Sequence, residues 1–131
     1  MEKLRFMLIG CGRISKNHVA AAAANRDTCW LAVVCDPVRE LAEKKAQDLE
    51  ELTGERPLVY TDYRKALEEQ PVDCCAIATE SGYHAEIALY CIARGKHVLI
   101  EKPMALSTGD AEQILAQAEE KGVTVGVCHQ N

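Results

Sequence analysis

The sequence predicts an α/β fold: a doubly wound, mostly parallel six-stranded sheet in the order 3-2-1-4-5-6, with helices on both faces. Apolar segments of strand length alternate with amphipathic segments of helix length along all 131 residues. Several strand segments are near-continuous apolar runs, as parallel strands buried on both faces require. Helical segments join them, and parallel neighbours need such crossovers, which are right-handed almost without exception.

Residues 4–9 read as the first strand and run into the turn Gly10-Cys11-Gly12. Residues 14–25 read as a helix ending in the alanine run 20–24, whose small side chains let it lie close to the sheet. Residues 29–35 are the second strand, apolar throughout. A charged helix follows from Pro37 to Leu52, with Pro37 suited to a first helical turn and Gly54 to the exit. Leu58, Val59 and Tyr60 form a short third strand, after which Thr61 caps a helix carrying Tyr63, Ala66 and Leu67 on one stripe.

Pro71 breaks the chain before the fourth strand, Asp73 to Thr79. The next helix places Ala85, Ala88, Leu89 and Ile92 on its inner face and stops at Gly95. His97 to Glu101 is the fifth strand, and Ser107 with Asp110 makes a capping-box-like start to the last helix. Ala111, Ile114, Leu115 and Ala118 face the sheet there, Lys121-Gly122 ends the helix, and Val123 to His129 is the sixth strand. No linker, repeat or low-complexity segment intervenes, so residues 1–131 read as one domain.

Composition narrows the function. The chain is 48% hydrophobic and 27% charged with a net charge of −5, and it has no Lys/Arg cluster able to track a phosphate backbone. Nucleic acid is therefore excluded as a partner. Met1-Glu2-Lys3 leads into an apolar segment too short for a signal sequence or a membrane span, so a soluble cytoplasmic protein is expected. The seven cysteines lack C-x-x-C spacing and lie mostly among apolar residues, where they act as small buried hydrophobes. The four histidines are too scattered for a metal site.

Three places carry chemistry. Gly10 permits a tight turn and Gly12 lets the backbone approach phosphate oxygens, while the N–H groups of the following helix face the negative charge. Ser15 stands at the third small position of this pattern. Asp36, 24 residues beyond Gly12, ends the second strand, where a carboxylate accepts from both ribose hydroxyls and repels a 2′-phosphate. NAD is favoured over NADP on that ground, although Arg39 could pair with a 2′-phosphate and Asp36 could instead cap the helix after it. Lys102, in Glu101-Lys102-Pro103, ends the fifth strand at the ligand crevice. A lysine near a cationic nicotinamide has its pKa depressed and is suited to exchanging a hydroxyl proton.

These segments resemble the Gfo/Idh/MocA family of nucleotide-dependent oxidoreductases. The matching blocks are Gly-Cys-Gly-Arg-Ile-Ser-Lys-Asn-His (10–18), Val-Cys-Asp-Pro (34–37), Ala-Thr-Glu-Ser-Gly-Tyr-His (78–84), Gly-Lys-His-Val-Leu-Ile-Glu-Lys-Pro-Met-Ala (95–105) and Gly-Val-Cys-His-Gln-Asn (126–131). The resemblance implies a Rossmann-type fold, with Gly10, Gly12, Arg13 and Ile14 at the pyrophosphate and Asp36 at the adenosine ribose. It implies Thr79, His84 and Glu101 on the nicotinamide side, and Lys102 as proton relay. Glu80 departs from the family pattern, which has proline there. Family members also continue beyond the point matching Asn131 into a substrate domain that commonly forms the oligomer interface. The resemblance thus implies the cofactor half of an enzyme, with little turnover by itself.

The expected function is hydride transfer between NAD and a secondary alcohol of a sugar, polyol or sugar-nucleotide. The block His129-Gln130-Asn131 is reminiscent of members that oxidise nucleotide-linked sugars. Two alternatives stand beside it: an NAD-dependent glycosidase of the same family, and a non-catalytic NAD(H)-binding module.

Overall fold

Parallel pairing organises the chain around its first strand. In a computed structural model that describes residues 4–10, 29–78, 84–101 and 108–128, β1 (Leu4–Ile9) lies between β2 (Cys29–Cys35) and β4 (Cys74–Ile77). β3 (Leu58–Tyr60) flanks β2, while β5 (His97–Glu101) and β6 (Val125–Cys128) extend the other side. The order is 3-2-1-4-5-6 with every pairing parallel, as the alternating pattern predicts. Helices α1 (Arg39–Thr53), α2 (Tyr63–Glu69), α3 (His84–Ala93) and α4 (Thr108–Lys121) are the described crossovers. The helix expected over 14–25 lies outside the described residues.

The two faces of the sheet build separate cores, because successive strand side chains point opposite ways. Met7, Ile9, Cys75, Ile77, Val98 and Ile100 meet Ala66 and Leu67 of α2, Ile87, Ala88, Cys91 and Ile92 of α3, and Ile114 and Ala118 of α4. Leu8, Leu31, Val34 and Ala76 meet Ala42, Ala46 and Leu49 of α1. Two alanines on that inner stripe let α1 approach the strands closely, and the buried stem of Lys45 ends in an ammonium 3.9 Å from Asp48.

Element ends follow local hydrogen bonding, and several differ from the expected ones. Pro37 precedes α1 rather than opening it: the Val38 N–H donates to Asp36 Oδ1 at 2.8 Å, turning the chain before the first helical residue, Arg39. Asp62, not Thr61, caps α2, its carboxylate accepting from the Arg64 N–H at 2.9 Å. Gln70 then adopts the extended conformation that a residue before proline favours. On α3 the buried stripe is His84, Ile87, Ala88, Cys91 and Ile92, with Ala85 and Leu89 only half-buried. On α4, Ile114 and Ala118 are buried, whereas Leu115 is 53% exposed, one position round from the inner stripe.

β4 and β6 begin one and two residues later than expected for the same kind of reason, while the expected ends at Thr79 and His129 lie outside the described residues. Asp73 exchanges hydrogen bonds with Arg5, its N–H donating to the Arg5 carbonyl and its carboxylate accepting the Arg5 N–H. Val123 closes α4, its N–H reaching back to the Ala118 carbonyl after Gly122 at φ +70°. Lys96 closes α3 in the same way after Gly95 at φ +76°. His97 has a structural role at the amino end of β5, its Nδ1 accepting from the Thr124 N–H at 2.9 Å.

Two measurements test this packing. Cys35, Cys74, Cys75 and Cys91 are buried, and a hydrogen bond with Cys91 together with burial raises the Cys75 thiol well above its ordinary pKa. Iodoacetamide at neutral pH, mapped by mass spectrometry, is expected to label these four only after denaturation; native labelling of Cys75 or Cys91 would contradict the packing. Gly10 sits at φ +97°, where a Cβ introduces strain, so Gly10→Ala is expected to lower stability by about 1–3 kcal/mol in urea unfolding. An unchanged urea midpoint would show that the turn relaxes without cost.

Candidate functional site

Backbone hydrogen bonds align the carboxyl ends of the strands into one rim. The Gly10 N–H donates to the Cys35 carbonyl at 2.8 Å, the Ala78 N–H to Ile9 at 2.8 Å, and the Asp36 N–H to Tyr60 at 3.1 Å. These bonds tie the ends of β1, β2, β3 and β4 together. Between β1 and β4 the strand order reverses, and the carboxyl ends of strands at such a reversal are where open α/β sheets bind ligands. Gly10 begins its turn there with the positive φ that glycine supplies without steric penalty.

Asp36 stands beside that turn, directly after β2, and is buried with 8% exposure. Its Oδ1 accepts the Val38 N–H, so the carboxylate is oriented by the chain that follows it. The helix-capping alternative is thus replaced by an Asx turn one step earlier, since Val38 occupies the cap position itself. Arg39 points along α1 to Glu43, with Nε 3.2 Å from Oε1, both side chains being largely exposed.

Next to Asp36 lies a cavity of about 360 Å³. Ile9, Cys35 and Ile87 are its apolar walls, Pro37 and Thr61 border it, and Tyr63, Arg64 and Glu86 supply polar groups. Arg64 is held on several sides. Its Nη2 is 3.2 Å from Glu86 Oε1, its Nε 3.4 Å from the Tyr63 hydroxyl, and its guanidinium 5.3 Å from the centre of the Tyr90 ring. Tyr63 and Tyr90 meet edge to face at 5.4 Å, and Arg94 lies 3.7 Å over the other aromatic partner, Tyr90. Burial raises the Tyr63 phenol, with the Arg64 hydrogen bond partly offsetting it.

The structure therefore brings Gly10 and Asp36 to one rim, with His84, 1% exposed, opening α3 after β4. The Glu101 backbone ends β5 opposite Cys128. Gly12, Arg13, Ile14, Thr79 and Lys102 lie outside the described residues, as does the Glu101 side chain. Tyr63, Arg64 and Glu86 escaped the motif reading. The available signal was positional: Thr61 to Arg64 leaves the carboxyl end of a strand, and Glu86 lies in the first turn of a helix entered from one.

The sequence model of the oxidoreductase family with an NAD-binding Rossmann fold matches residues 4–129. The WlbA dehydrogenase from Bordetella pertussis, crystallised with NADH and UDP-GlcNAcA, superposes with a TM-score of 0.83 at 36% identity, covering 97% of this chain and 37% of that one. A 4-carboxy-2-hydroxymuconate-6-semialdehyde dehydrogenase from Sphingobium is 29% identical over 96% of this chain and 38% of its own length. A glycosyl hydrolase family 109 protein from Akkermansia muciniphila is 26% identical over 92% of this chain and 26% of its own. The chain thus spans well under half of each relative. With a family match that takes in all six strands and the glycine turn, the chain belongs to the Gfo/Idh/MocA oxidoreductase family and carries its NAD-binding Rossmann fold.

Proposed function

We propose that these residues form the cofactor-binding part of an oxidoreductase that moves hydride between NAD and a secondary alcohol of a sugar, polyol or nucleotide-linked sugar. The observation that carries the reading is the buried Asp36, whose preceding residue Cys35 bonds Gly10 and, with Pro37, lines a cavity of about 360 Å³. That arrangement fits a dinucleotide. The turn admits close approach of a pyrophosphate, the carboxylate accepts ribose hydroxyls, and the cavity beside it takes a planar base.

Gly10, Gly12, Arg13 and Ile14 would hold the pyrophosphate, and Asp36 the adenosine ribose. Thr79, His84 and Glu101 would lie along the nicotinamide half. Bound there, NAD supplies the acceptor for the hydride lost by the carbinol carbon. Lys102, as the neutral amine, takes the proton of the substrate hydroxyl and returns it in the reverse direction. Asp36 favours NAD over NADP because a 2′-phosphate would bring like charge against a buried carboxylate. Since the chain covers 37% of the WlbA dehydrogenase, turnover and substrate choice belong to the whole protein, and cofactor binding to these residues.

The likeness to a family 109 glycosyl hydrolase favours a second reading, in which the same cofactor site serves transient oxidation and glycosidic cleavage. Net NADH formation with a free sugar separates the two, since the glycosidase consumes no NAD overall.

Calorimetric titration with NADH and NADPH tests the cofactor assignment. The unsubstituted chain is expected to prefer NADH. Asp36→Ala is expected to lose roughly 10- to 100-fold of its NADH affinity, the scale of hydrogen bonds to a charged group, and with it the preference. An Asp36 variant that keeps its original preference would remove the carboxylate as selector.

A further inference from the structure

We propose that Arg64 is the specificity-determining wall of the base cavity, stacking its guanidinium on the adenine, and that Glu86 is the positioning residue that holds it there. The assignment rests on the dinucleotide reading above and adds to it two residues that no glycine or acidic fingerprint contains.

Three observations carry it. First, the cavity reaches the chain on either side of the ribose selector, since Cys35 and Pro37 line it although Asp36 itself does not. A base attached to a ribose held at Asp36 therefore has this space within reach. Second, the cavity lining is of two kinds. Ile9, Cys35 and Ile87 offer apolar surface to a ring, while Arg64 and Glu86 offer a flat cation and its counter-charge. A planar heteroaromatic ring suits that pairing, since guanidinium planes stack on aromatic faces.

Third, Arg64 is constrained although it lies at the surface. Glu86 Oε1 is 3.2 Å from Nη2, the Tyr63 hydroxyl is 3.4 Å from Nε, and the Tyr63 and Tyr90 rings lie 5.6 and 5.3 Å from the guanidinium carbon. The two side chains of the ion pair are 52% and 62% exposed, and pairs this exposed add little to folding. Their effect is instead to fix the guanidinium before a ligand arrives, which reduces the entropy lost on stacking.

The test is a set of titrations of the chain and its Arg64→Ala, Arg64→Lys and Glu86→Gln variants with NADH and with ADP-ribose, which lacks the nicotinamide. Arg64→Ala is expected to weaken both ligands by the same factor, roughly tenfold. Arg64→Lys, which keeps the charge and loses the plane, is expected to recover little. Glu86→Gln is expected to give a smaller loss, roughly threefold and again equal for both ligands, with an unchanged melting temperature. Wild-type affinity in Arg64→Ala, or full rescue by lysine, would overturn the stacking assignment while leaving the dinucleotide reading intact. If the unsubstituted chain binds neither ligand, the dinucleotide reading fails and the Arg64 assignment falls with it.

Discussion

Two-sided pairing of β1 is the constraint on which the rest of the structure depends. β1 bonds to β2 on one edge and β4 on the other, and its last three residues are all buried. A strand enclosed in this way can deliver its following residues only beyond its carboxyl end. The helices that follow its two neighbours, α1 after β2 and α3 after β4, pack on opposite faces of the sheet, which is the geometric origin of the crevice. Gly10 then turns at φ +97° while its N–H reaches the Cys35 carbonyl, so the start of the glycine turn is fixed to the strand that presents Asp36.

Most of this was legible in the sequence because burial on both faces leaves a simple trace. The run from Cys29 to Cys35 admits no polar residue, and the strand it predicts is the strand observed. Helix exits at Gly54, Gly95 and Gly122 were equally legible, since all three adopt positive φ. Capping was less so. Thr61 and Asp62 are both good caps, and only the geometry of the Arg64 N–H decides between them. Leu115 shows the limit of periodicity: Ile114 and Ala118 suffice to seat α4, leaving the adjacent leucine half outside.

The base cavity was illegible for a different reason. Tyr63, Arg64 and Glu86 come from α2 and α3, with Arg64 and Glu86 22 positions apart in the chain and joined only by the packing of those helices near β2 and β4. No local spacing encodes that encounter. Asp36, by contrast, sits at a fixed step from a glycine turn, and its environment could be anticipated from the strand that carries it. The comparison of Asp36 with Arg39 turns on the same distinction. Asp36 is buried and oriented by the Val38 N–H, whereas Arg39 is solvated and turned along its helix toward Glu43. A carboxylate in the lower-dielectric position acts more strongly on an incoming phosphate than an exposed, screened guanidinium.

The first turn of α3 ties the edge of the cavity to the core. His84 and Glu86 are two residues apart, about 200° round the helix, so they cannot share a face. His84 is buried, with Ile87 and Ala88 on the same side, while Glu86 is directed to Arg64 at the edge of the base cavity. α3 is also the helix entered from β4, the strand on the far side of the crevice from β2. A shift of α3 large enough to move Glu86 must therefore disturb the core through His84 and Ile87, which close packing resists. The adenine-side ion pair is thus anchored to the buried core, and the rigidity of the fold is transmitted to the wall of the cavity through one helical turn.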